Sequence, residues 1–139
     1  MDLGAKIALT AAGIFFMTAL LTGIWKYRQM LTREEHVAHP YVDTAHRAAL
    51  LYSFASVLLA EMARYSSLSE CLNAVAVSGP ILFFGIAIAT YIRIGATRAT
   101  DNQFRERNFN TTVGMWLLIA FEIAGFGLLF AGFLAGQVF

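Results

Sequence analysis

Three long runs without a single charged side chain constrain this chain more than any other feature. Ile7–Trp25 gives nineteen such residues, Cys71–Ile92 twenty-two and Ile123–Phe139 seventeen. About twenty residues of helix cross the apolar core of a bilayer, and only a helix or a closed barrel satisfies its own backbone there. With 58% hydrophobic and 14% charged residues, the composition is too apolar for an ordinary soluble domain. A fourth stretch, Thr44–Tyr65, is apolar in its middle and polar at its ends, where His46, Arg47, Glu61 and Arg64 stand. The sequence therefore predicts an all-α integral membrane protein, an antiparallel bundle of four transmembrane helices in a single domain. The helices fall near residues 5–26, 44–65, 71–93 and 111–136. The opening helix reads as retained rather than cleaved, because no small-residue cleavage site follows it.

Sidedness follows from lysine and arginine. Lys26, Arg28 and Arg33 lie between the first two spans, and Arg93, Arg98, Arg105 and Arg107 between the last two. Only Lys6 and Arg64 fall on the other side. The long loops are thus expected in the cytoplasm and both termini outside, as in a bacterial inner membrane. A net charge of +1 points to no nucleic-acid partner. A single cysteine, Cys71, excludes an internal disulfide and any cysteine-based cluster site.

Small residues let helices approach closely in lipid. Ala49, Ser53, Ser56 and Ala60 lie on one side of the second span, and Gly125, Gly132 and Gly136 punctuate the fourth. Gly79-Pro80 is expected to kink the third. On the second span, Asp43, His46, Leu50, Ser53, Val57, Glu61 and Arg64 form one stripe at about 100° per residue. An ionisable group inside a span is costly and is a functional-site candidate. Asp43, one turn before His46, is spaced to orient its imidazole; the bland alternative is the polar start of a helix.

An imidazole can bind zinc, copper or iron. A single histidine at membrane depth suits haem, whose iron takes one proximal histidine and keeps its other face open. Arg47, Arg93 and Arg98 fall at the predicted level of His46, where guanidinium groups could meet propionates. A second arrangement stays open: His36 and His39, with Glu34, Glu35 and Asp43, as a His/carboxylate metal site at the surface. Both histidines are expected in a proline-broken loop, with nothing to fix their spacing to His46.

The stretch Ala45-His46-Arg47-Ala48-Ala49-Leu50-Leu51-Tyr52-Ser53, opening the second of four spans, resembles the membrane-bound styrene oxide isomerase and hydroxylaminobenzene mutase group. The resemblance implies haem b with His46 as proximal iron ligand near the contacts of a homotrimer. It also implies ferric iron acting as a Lewis acid on the oxygen of a small apolar substrate such as an epoxide. Tyr52 and Ser53 occupy the positions where that group carries an asparagine-glycine pair, and so are the candidate catalytic residues.

Two further readings come from the residues themselves. Glu122, halfway along the fourth span, needs a partner from another helix or a place on a polar path. Tyr52 could orient a substrate oxygen or simply satisfy a backbone group. The functions that remain are a haem-dependent isomerase or mutase, a non-catalytic haem or metal carrier, sensor or small subunit of a larger complex, and a purely structural bundle.

Overall fold

Asp2 starts the first helix by accepting hydrogen bonds from the backbone N–H of Gly4 (2.6 Å) and Ala5 (3.3 Å). In this way it satisfies donors that an uncapped helix would leave orphaned. In the computed structural model, which describes residues 1–139, four α-helices follow in order. They are α1 (Leu3–Thr32), α2 (Pro40–Tyr65), α3 (Glu70–Thr97) and α4 (Val113–Gln137). No strand is present. α1, α3 and α4 are each long and apolar enough to cross a membrane. α2 has comparable length but a polar start and end.

The helices outrun the apolar runs that announce them. α1 continues to Thr32, and α2 begins at Pro40 rather than Thr44. Proline fits a first helical turn because its missing N–H would have no partner there anyway. His39 is the N-cap: its Nδ1 accepts from the Tyr41 N–H at 3.2 Å. The residues expected in a broken loop thus include a buried helix cap. α3 ends at Thr97, and the left-handed φ of 51° at its C-cap, Arg98, turns the chain out of the helix.

The helices alternate in direction, as polar links at the two ends demonstrate. At one end the Leu3 N–H donates to Glu70 (2.9 Å), Asn73 Nδ2 donates to Asp2 and to the Ala63 carbonyl (both 3.1 Å), and the Ser67 N–H donates to the Gly132 carbonyl (3.0 Å). At the other end the His39 N–H donates to Gln29 Oε1 (2.8 Å), and the Gln103 N–H donates to the Tyr41 hydroxyl (2.7 Å). The core between them is built mostly from alanine: Ala5, Ala8, Ala11 and Ala19 of α1 meet Ala49, Ala60 and Ala63 of α2. Side chains this small bring the two backbones close, which is how helices associate without a hydrophobic drive.

α4 stands apart from this pair. It packs on α3 and α2 but not on α1, and only Gly125, Leu129 and Gly132 along it are buried. Its seat is set by Pro80. α3 runs through Pro80 unbroken, but proline has no N–H to donate to the Ala76 carbonyl. Gly125 lies over that carbonyl and against the Pro80 ring, where a Cβ would come within 2.7 Å of Pro80 Cδ.

Candidate functional site around His46

His46 faces α1. Its Nδ1 lies 2.8 Å from the carbonyl oxygen of Ala19. A carbonyl only accepts, so this nitrogen carries a proton, and in the neutral ring Nε2 is the nitrogen with the lone pair. Nε2 makes no hydrogen bond within the chain and is not sealed from its surroundings. Gly23, one turn further along α1, makes the approach possible: a Cβ there would stand 3.0 Å from His46 Cε1. The imidazole is therefore gripped on one edge by a backbone carbonyl and rests on a glycine.

Asp43 points to a different partner. Its carboxylate meets Lys26 of α1 at 2.6 Å and Arg47, one turn on, at 3.7 Å. The Ala19 carbonyl, not this carboxylate, orients His46, and Asp43 instead ties α2 to α1 one turn nearer the helix end. Arg47 remains 72% exposed despite the pair. In the other direction, Phe16 and Phe54 meet edge to face with centroids 6.4 Å apart. Phe54 is eight residues from His46, or about 12 Å along the axis. The outer edge of the α1–α2 seam therefore reads, in order, charged cluster, imidazole on glycine, aromatic pair.

The other residues singled out by the sequence lie elsewhere. Ser53 is buried, and its hydroxyl donates to the Leu50 carbonyl of its own helix at 2.6 Å. Tyr52 faces α3, stacked on Phe84 with centroids 4.1 Å apart, and borders a groove shared with Arg47 and Tyr91. Arg93 lines a cavity walled by α3 and the α3–α4 loop, with no α1 or α2 residue in its lining. Arg98 and Arg33 lie near His39. Of the residues proposed around the imidazole, Asp43 and His46 lie on the α1–α2 seam, Arg47 reaches from Asp43 to the groove it shares with Tyr52 and Tyr91, and Arg93 lines a cavity away from both.

Nor do the other histidines assemble a site. His36 Nδ1 lies 3.0 Å from the Met30 carbonyl, whereas His39 caps α2. No three histidine, cysteine, aspartate or glutamate side chains come together in a metal-holding group. Burial, above all, with Arg33 and Arg98 nearby, holds the His39 imidazole below its usual pKa, which keeps its capping nitrogen free to accept.

Sequence reasoning found Glu122 but not its setting. One carboxylate oxygen, Oε1, is buried without a hydrogen-bond partner, and the group is within electrostatic reach of Tyr52 and Tyr91. The tyrosines lie on α2 and α3. It missed Lys26 and Gly23. A lysine at the end of the first run and a glycine one turn before it were the available signals.

His46 is the residue that would hold a haem iron. The Nδ1–H···O=C bond fixes the tautomer and orientation, as the outer partner of a metal-binding imidazole does. The other nitrogen keeps its lone pair, and the seam beside it is apolar and aromatic with an exposed guanidinium at one end. No family model, characterised protein or solved structure matches the chain.

Proposed function

We propose that this chain is a membrane-embedded haem b protein, bound through Nε2 of His46, that isomerises a small apolar oxygenated substrate. The observation that carries the reading is the 2.8 Å bond from His46 Nδ1 to the Ala19 carbonyl, with Nε2 unengaged. In this reading Ala19 holds the ring, Gly23 leaves it room and Arg47 meets a propionate. Phe16 and Phe54 give the flat macrocycle an apolar edge. When bound, ferric haem supplies a Lewis acid for an epoxide-like oxygen, a reaction that needs no external electron donor. The chain's own part is to hold the imidazole, exclude water with apolar side chains and draw an apolar substrate from the lipid. Tyr52 joins the substrate side through the groove it shares with Arg47.

The same reading takes all four helices as spans, with the long loops cytoplasmic and both termini outside, and assembles the chain as a homotrimer. The scant burial of α4 supports association, since its apolar surface needs lipid or another subunit. The test is the absorption spectrum of protein purified after expression with haem supplied. A Soret band lost in His46→Ala, followed by turnover of an aryl epoxide, supports the reading. A wild-type protein without a Soret band removes it, and haem without turnover leaves a carrier or subunit. A reporter fused after Phe139 tests the orientation: cytoplasmic behaviour reverses it.

A further inference from the structure

Two cavities adjoin at the loop end of α3 and α4 and share part of their lining. The outer part, about 380 Å³, is bounded by the end of α3 and the α3–α4 loop, mostly by polar residues. The inner part, about 260 Å³, descends between the two helices and is lined by groups such as Phe83, Ile86, Met115 and Leu118. Thr90, Gln103 and Asn110 belong to both. A polar room beside an apolar slot, at the end of helices apolar enough to cross a membrane, has the profile of a lipid in a leaflet.

The polar part carries charges of both signs. Arg105 is matched by Asp101 at 3.2 Å, but Arg93 and Glu106 have no ion partner within the chain. Asn102 and Asn108 add hydrogen-bond donors. The Oδ1 of each accepts a backbone N–H, from Phe104 at 3.0 Å and from Thr111 at 3.1 Å. That fixes which end of each amide is oxygen and leaves both NH₂ groups to donate outward. The Gln103 and Asn110 side chains hold no hydrogen bond and can accept. Arg93 with two amide donors suits a phosphate, and Glu106 with amide acceptors suits an ammonium that carries hydrogens. The slot, about 260 Å³, takes part of one acyl chain.

We propose that this pair of cavities binds a zwitterionic phospholipid with a primary ammonium head, its phosphate on Arg93, its ammonium on Glu106 and one acyl chain between α3 and α4. The site is separate from the His46 seam and does not depend on haem. The experiment is native mass spectrometry of the full chain released from mixed micelles containing equal amounts of phosphatidylethanolamine, phosphatidylcholine and phosphatidylglycerol. Wild type should retain phosphatidylethanolamine at least fivefold over both others. Arg93→Gln should cut retention of phosphatidylethanolamine about tenfold, and Glu106→Gln should remove its advantage over phosphatidylglycerol alone. Leu118→Trp should exclude all three lipids by filling the slot. His46→Ala should keep the preference, which separates this site from the haem reading. Equal retention of the three lipids by wild type overturns the proposal. So does an unchanged preference in both charge variants, or competition by free phosphoethanolamine as strong as that of the intact lipid.

Discussion

The imidazole of His46 on α2 hydrogen-bonds across the helix seam to the carbonyl of Ala19 on α1, 27 residues away in sequence, at 2.8 Å. That carbonyl also serves the α1 ladder and the Thr22 hydroxyl at 3.1 Å, so His46 is an added partner and not a structural necessity of α1. His46→Ala should therefore leave the bundle assembled while abolishing the haem spectrum. The alanine-lined α1–α2 contact survives the change. Absorbance of the purified variant beside its gel-filtration profile checks both halves. His36→Ala and His39→Ala should keep the Soret band, although loss of the His39 cap should cost about 1 kcal/mol of stability.

Gly23 sets how closely the imidazole can lie. Because a Cβ there falls 3.0 Å from His46 Cε1, Gly23→Val should push the ring from the Ala19 carbonyl and weaken haem retention about tenfold or more. Gly13 of the same helix provides the control, since nothing lies within 4 Å of an added Cβ. Gly13→Val should retain haem like the wild type. Equal haem loss in both variants would mean that general helix damage, and not the His46 contact, is responsible.

His39 gives the fold a pH dependence. Burial first, then Arg33 and Arg98, lowers its pKa below the ordinary 6.5. The unfolded chain therefore binds this proton at a pH where the folded chain does not, and stability rises with pH across that interval. The contribution is complete above about pH 6.5 and is lost as pH falls toward the depressed folded value. Protonation also removes the nitrogen that accepts the Tyr41 N–H. Thermal unfolding in detergent at pH 7.5 and pH 5.0 should show a drop for wild type. His39→Asn, which caps a helix without titrating in this range, should show a smaller one. An equal drop in both would assign the effect to another group.

The apolar runs made the long helices legible, and the polar ends of Thr44–Tyr65 made α2 the weakest of the four as a span. The helix ends were less legible because polar side chains extend α1 to Thr32, and Pro40 opens α2 where a proline was read as a break. Around His46 the sequence could mark the imidazole but not its partner: Ala19 contributes a carbonyl, which every residue has, so no side-chain type announces it. Asp43 had the right spacing for His46 and went to Lys26 instead, since a cation on the facing helix offers a full charge at 2.6 Å. Arg93 shares the expected depth of His46 but faces the α3–α4 loop. Depth along a helix can be read from residue number, whereas the facing partner depends on how the helices are arranged around one another.

The seat of α4 yields the last prediction. Pro80 leaves the Ala76 carbonyl without its helical N–H, and Gly125 is the residue that closes over both. A side chain at position 125 would meet backbone oxygen and a rigid proline ring, neither of which can rotate away. Gly125→Leu should therefore lift α4 from α3 and destabilise the bundle by about 1–3 kcal/mol, the usual range for overpacking. Gly127 of the same helix has nothing within 4 Å of an added Cβ. Gly127→Leu should be tolerated by the isolated chain. Thermal melts of the two variants in detergent check the contrast, and a Gly125→Leu protein as stable as wild type would show that α4 does not depend on this contact. Because the α1–α2 seam makes no contact with α4 through α1, Gly125→Leu protein that remains folded should still carry the His46 haem spectrum.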